Sequence, residues 1–183
     1  MKFTTTSLKD AILIEPEPRP DERGFFARTY CRNEFAEAGL ETDFVQGNMS
    51  FNRAKGTLRG MHFQYPPHEE VKVVRCIRGA IYDVIIDLRP DSPSYLKWQG
   101  FELTEDNGLQ LYVPRGFAHG FLTLSDGAAV AYQVSAFYAP GAEGGVRWND
   151  PQFAIEWSAD VTVLSPKDAA WPDFSRECGE ATP

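Results

Sequence analysis

The 183-residue chain is poor in the residues that most often staple, coordinate or anchor a protein, with 3 Cys, 3 His and 3 Met. Cys31, Cys76 and Cys178 show no paired spacing, so neither a disulfide framework nor a thiolate nucleophile is expected. Cys76, inside a β-branched run, reads as a small buried hydrophobe. No apolar run is long enough to cross a bilayer, and the polar start Met1-Lys2-Phe3-Thr4-Thr5-Thr6 leads into no apolar stretch of a secretory signal. A cytoplasmic location is therefore expected, with no membrane partner. Basic residues are scarce too: 18 Lys and Arg stand against 26 Asp and Glu, for a net charge of -8. That balance argues against nucleic acid, because phosphate backbones demand a basic surface. An anionic small molecule still fits if the arginines are concentrated locally.

With 43% hydrophobic residues, the chain has the length and composition of a single domain, 1–183, with a real core. Its middle reads as short strands: Val71–Ile77, Ala80–Leu88, Trp98–Leu103, Leu109–Val113, Ala118–Leu124 and Ala129–Tyr138. Arg78-Gly79, Pro90-Asp91-Ser92-Pro93 and Ser125-Asp126-Gly127 mark turns, and Glu105-Asp106-Asn107-Gly108 is a hairpin signal. Such spacing without βαβ units predicts an all-β antiparallel double sheet, a sandwich or barrel. Helix is expected only over Asn33–Ala38 and from Ser165-Pro166-Lys167-Asp168, where Ser then Pro makes an N-cap and N1 pair. The tail from Glu177 to Pro183 reads as frayed.

Two of the three histidines, His62 and His119, close strand-like runs, while His68 lies on a Pro-rich turn. Histidine suits proton transfer near neutral pH and also metal ligation. Pro114-x-Gly116-x-x-His119 resembles the second motif of the cupin superfamily, whose metal-binding members carry His-x-His in the first. Here that place reads His62-Phe63-Gln64, and Gln is a poor ligand. Glu69 and Glu70 are the remaining candidate ligands, so no metal is expected. Asp83 and Asp87 share one face of their strand and Tyr82 takes the other. Taken singly, such charges usually line a solvated face; inside a barrel they must be paired or serve a ligand.

The strings Asp21-Glu22-Arg23-Gly24-Phe25-Phe26, Gln46-Gly47-Asn48, Lys55-Gly56-Thr57-Leu58-Arg59-Gly60-Met61-His62-Phe63-Gln64, Pro114-Arg115-Gly116-Phe117-Ala118-His119-Gly120-Phe121 and Gly145-Val146-Arg147-Trp148-Asn149-Asp150-Pro151 resemble the dTDP-4-dehydrorhamnose 3,5-epimerase family. The resemblance runs through nearly the whole chain. It implies a dimeric cupin-type double-stranded β-helix, or jelly-roll barrel, with a few short helices and no cofactor. The implied reaction inverts C3 and/or C5 of a nucleotide-linked 4-keto-6-deoxy sugar. By resemblance, His62 is the general base and Asp168 its orienting carboxylate. Tyr132 is the acid for the opposite face, Lys72 the cation beside the enolate, and His119 a sugar-pocket neighbour. Arg23, Phe26, Gln46, Asn48, Arg59 and Tyr138 are the implied nucleotide-diphosphate and base contacts. Residues 1–45 form an N-terminal extension contributing to dimerisation, with Ala11–Ile14 and Phe25–Tyr30 as candidate exchanged strands, so that Arg23, Phe26 and Arg28 complete the partner's pocket.

Several positions depart from the family's common pattern. Arg28 stands where a glutamate is general, near the nucleotide. Met49 replaces a frequent histidine, and Gln133, Ala136, Phe137 and Gly144 stand for Lys, Asp, Tyr and Arg. These changes leave open whether dTDP, GDP or CDP carries the sugar and which carbons are inverted. The alternatives are a nucleotide-sugar 3,4-ketoisomerase or a non-catalytic sugar-nucleotide-binding cupin. The latter expects His62 and Asp168 to lie too far apart to bond.

Overall fold

The computed structural model describes residues 1–175, so Cys178 and the tail from Glu177 lie outside the described residues. The N-terminal part contributes β1 (Lys2–Thr5), β2 (Ile12–Glu15), β3 (Arg19–Asp21), β4 (Gly24–Phe26) and α1 (Arg32–Glu37). The barrel strands follow as β5 (Gln46–Asn52), β6 (Thr57–Gln64), β7 (Lys72–Arg78), β8 (Ala80–Asp87), β9 (Trp98–Thr104), β10 (Gln110–Val113), β11 (Phe117–Thr123) and β12 (Ala128–Val134). Short β13 (Glu143–Gly145), β14 (Val163–Leu164) and α2 (Pro166–Ala169) complete it.

Two sheets face each other. The first has the order β1-β2-β10-β7-β12-β5, the second β13-β6-β11-β8-β9 with β14 beside β6. Successive strands β5 to β8, and again β9 to β12, cross from one sheet to the other except at the β8–β9 hairpin. This is the expected cupin-type jelly roll. The Glu105–Gly108 signal is corrected: it does not make a hairpin, because β9 and β10 belong to different sheets. Its Asn107 side chain caps the turn, accepting from Thr104 N and Leu109 N while the chain changes sheet.

The core has three parts. Between the sheets, Val74, Cys76, Ile81, Ile85, Leu103, Leu111 and Val130 fill one end of the barrel. Burial pushes the Cys76 thiol up, as fits a small hydrophobe. Outside the first sheet, Phe35 of α1 packs on Ile14, Val71, Val73 and Tyr112. Outside the second, Phe153 and Val146 cover Val84 and Ile86, with Trp98, Trp157 and Phe174 at the margin. Asp83 and Asp87 are thus on no solvated face: both are fully buried. Asp87 accepts from Arg89, Ser92 and Ser94.

Two strand expectations shorten. The Phe25–Tyr30 run yields only Gly24–Phe26, paired with β3 alone. Tyr30 turns inward to pack on Phe35 and Phe44, and its hydroxyl donates to Thr42 O at 2.7 Å. The run toward Tyr138 stops at Val134, leaving Tyr138 in a loop and 58% exposed. The short C-terminal helix forms as read, with Ser165 Oγ accepting from Asp168 N at 3.0 Å. That cap sets Asp168 at the third helical position.

Candidate active site

Arg59 and His62 are three residues apart, a spacing that on a regular strand puts side chains on opposite faces. A bulge corrects the parity. His62 is opposite His119, yet Arg59 is opposite Phe121, so β6 spends three residues where β11 spends two. Arg59, His62, His119 and Phe121 consequently line one cavity. Glycine makes the bulge possible: Gly60 has φ +130°, and a Cβ on it would lie 2.5 Å from Gly120 Cα. A Cβ on Gly120 would in turn meet Arg59 O at 2.8 Å.

The facing wall comes from the first sheet. Tyr132 of β12 is opposite Asn48 of β5 and Val74 of β7, while Lys72 is opposite Val134. His62, Lys72 and Tyr132 line two adjoining cavities of about 380 and 280 Å³. The first also holds Met49, Ser50, Phe51, Arg59 and His119; the second holds Gln46, Asn48, Tyr138 and Glu143. A sugar nucleotide is of the size such clefts accept.

His62 Nε2 sits 2.6 Å from Asp168 Oδ1, and Asp168 is only 4% exposed. Burial pushes the Asp168 carboxyl up. The bond and charge of His62, Ser165 and the Gly60 N–H outweigh it and hold the group below the usual carboxylate value. An ionised Asp168 fixes the proton on Nε2 and leaves the basic lone pair on Nδ1. Burial chiefly raises the Tyr132 phenol, helped by Glu70 and opposed by Arg59, so it stays protonated at neutral pH. His119 forms a second pair, Nε2 to Asp83 Oδ1 at 2.9 Å, on a fully buried carboxylate.

Lys72 is 12% exposed at its side chain and pairs with Glu70 at 2.9 Å. One of its three N–H donors is thereby committed and two remain. Glu70 also receives a short hydrogen bond from Gln64 Nε2. Tyr138 OH donates to Glu143 Oε2 at 3.3 Å, and the Tyr138 N–H donates to Gln46 Oε1 at 3.1 Å.

The structure thus brings together His62, Asp168, Tyr132, Lys72, His119, Gln46, Asn48, Arg59 and Tyr138. Within one chain it does not add Arg23, Phe26 or Arg28. Arg23 is solvent-exposed and paired with Asp21, Phe26 is 64% exposed, and Arg28 pairs with Glu34 at 2.7 Å. Sequence reading missed Ser50 and Glu143 as cavity residues, and saw Glu70 only as a candidate ligand. For Glu70 the signal was its two-residue spacing from Lys72; Ser50 and Glu143 carried none. Gly144 is hemmed in, since a Cβ there would lie 2.5 Å from the Phe63 ring. Among the described residues no group of three or more His, Cys, Asp or Glu gathers as metal ligands would, and no helix is long and apolar enough to cross a membrane.

Comparison with known proteins agrees with this geometry. The model of the dTDP-4-dehydrorhamnose 3,5-epimerase family matches residues 5–176. The enzyme of that name from Methanothermobacter thermautotrophicus is 44% identical over 173 residues, covering 93% of this chain and 92% of its own. A dTDP-4-dehydrorhamnose 3-epimerase from Streptomyces niveus is 41% identical, covering 92% and 81%. The crystal structure of the 3,5-epimerase from Bacillus anthracis, with TDP and PPi bound, superposes with a TM-score of 0.92 at 43% identity, covering 94% of this chain and 99% of that one. The chain belongs to the dTDP-4-dehydrorhamnose 3,5-epimerase family.

Proposed function

We propose that this chain inverts C3 and/or C5 of a nucleotide-linked 4-keto-6-deoxy sugar, dTDP being the first candidate carrier and GDP or CDP the others. The observation that carries the reading is the placement of His62 on one sheet, and of Tyr132 and Lys72 on the other, around one cavity. A hydrogen beside a ketone is weakly acidic, and its removal leaves charge on the carbonyl oxygen. His62 Nδ1 takes that proton, while Asp168 stabilises the resulting imidazolium. The Lys72 ammonium favours the enolate over the neutral ketone, the differential binding that lowers a barrier. Tyr132, kept protonated by burial, returns a proton from the opposite wall, which turns exchange into inversion. Every step is a proton transfer that these side chains can perform.

Gln46, Asn48, Arg59, His119 and Tyr138 hold the sugar nucleotide, the guanidinium fork of Arg59 suiting the diphosphate. Arg23, Phe26 and Arg28 act in a homodimer, where residues 1–45 of one copy reach the other's cleft. Exposed Phe25 (70%), Phe26 (64%), Met49 (69%) and Phe51 (50%) support that reading, as does the edge position of β5. A monomer with full activity would overturn it. The free thiols of Cys31 and Cys76 fit a cytoplasmic site for the reaction. The non-catalytic alternative called for a separated His62 and Asp168, and they are hydrogen-bonded. The test is a panel of dTDP-, GDP- and CDP-linked 4-keto sugars in deuterated water, with label at C3 and C5 read by NMR and mass. Uptake with inversion is expected for one carrier; no uptake with any of them refutes the reading.

A further inference from the structure

Arg59 and Asn52 meet across the gap between the two sheets. Arg59 Nε donates to Asn52 Oδ1 at 2.7 Å, and Asn52, the last residue of β5, is 2% exposed. Its Nδ2 donates to Ala128 O at 3.3 Å, on the strand position directly opposite. The two bonds fix which way the amide faces. Exchanging its oxygen and nitrogen would set an NH₂ against the Arg59 N–H and an oxygen against a carbonyl. The terminal nitrogens of Arg59 have no hydrogen-bond partner among the described residues, and the side chain lines the cavity that also holds His62, Lys72 and Tyr132. Ser50, on the same face of β5 as Asn52, has a buried Oγ without a partner among the described residues and lines that cavity too.

We propose that Asn52 is a positioning residue for substrate binding: it clamps Arg59 through Nε, so that both terminal amino groups are presented together to the diphosphate. The inference rests on the reading that Arg59 meets that diphosphate. A guanidinium on a three-methylene stem samples many rotamers, and ordering it during binding costs affinity. A clamp on the one nitrogen not needed for a bidentate contact removes that cost beforehand. Asn52 adds no charge of its own, so the guanidinium keeps its full attraction for an anion. An aspartate there would hold Arg59 equally well but would cancel part of that charge.

Calorimetric binding of dTDP to wild type, Asn52→Ala, Arg59→Ala and the double variant tests this, with melting curves confirming that each is folded. Asn52→Ala is expected to weaken dTDP about tenfold and to raise KM similarly, with kcat within about twofold. In the Arg59→Ala background the same change should do nothing further, since the clamp has nothing to hold. A second cycle on Arg59→Lys, which keeps the cation but lacks Nε, should also show no Asn52 effect. Unchanged affinity in Arg59→Ala would overturn the diphosphate reading itself. A loss in Arg59→Ala with a silent Asn52→Ala, or an Asn52→Ala loss of equal size in every background, would overturn the clamp alone.

Discussion

Replacing Asp168 by Asn removes one charge from the 2.6 Å contact with His62 Nε2 and leaves the size of the side chain unchanged. Two unit charges about 4 Å apart are worth about 4 kcal/mol at the effective dielectric of a protein site. The His62 ring is 32% exposed, and solvent screening brings the figure to about 2 to 3 kcal/mol. That stabilisation acts on the imidazolium formed after proton abstraction and not on the resting neutral ring. It is therefore lost from the transition state, and kcat should fall about 100-fold at about 1.4 kcal/mol per decade. KM should hardly move, because Asp168 lies behind the imidazole. The fold should survive, since the amide oxygen still accepts from His62 Nε2, the contact given up to Gly60 N is a long 3.5 Å, and the Ser165 cap is made to the backbone N–H of residue 168. The assay is the rate of deuterium uptake at C3 and C5 of a dTDP-linked 4-keto-6-deoxy sugar, followed by NMR. Exchange within about threefold of wild type would refute the reasoning, because it would mean that the paired carboxylate contributes nothing to the base.

Two other outcomes follow. Lys72→Met removes the ammonium and leaves Glu70 with its carboxylate unpaired in a site where both side chains are 12% exposed; kcat should drop about 100- to 1000-fold, and a change confined to KM would contradict the enolate role. Burial pushes the Asp87 carboxyl up, but Arg89, Ser92 and Ser94 outweigh it and hold the group below its ordinary value of 3.8. Its stabilising contribution is therefore complete above that pH and is lost as pH falls below it. Melting temperature against pH should accordingly be flatter below about 3.8 in Asp87→Asn than in wild type, and parallel curves would contradict the assignment.

The barrel was legible because its signals are local. Alternating apolar runs separated by Gly, Asp and Pro appear as β7 to β11 within a residue or two, with β12 stopping four residues short at Val134, and Ser165-Pro166 caps the helix that delivers Asp168. What failed depends on distant parts of the chain. Asn107 and Gly108 make a tight turn in either setting, and only the packing of two sheets decides that β9 and β10 part company. Tyr30 has strand propensity, but the aromatic cluster of Phe35 and Phe44 captures it. Within the site, His62 stood out as a rare residue in a dense motif. Lys72 and Asp168 were recognisable only through resemblance, since a lysine beside valines and an acid at a helix start have ordinary structural uses. The parity reset at Gly60 and Met61, which turns Arg59 into the His62 cavity, is a cross-strand property that spacing alone does not reveal.

The most direct measurement compares His62→Asn with Tyr132→Phe in deuterated water, scoring label uptake and product configuration on the same sample. Removing the base should abolish uptake at every carbon the wild type labels. Removing the phenol should leave uptake measurable while inverted product falls away, because the proton then returns from the side it left. Undiminished inversion by Tyr132→Phe, or label entering at the wild-type rate in His62→Asn, would contradict a two-sided proton transfer across this cavity.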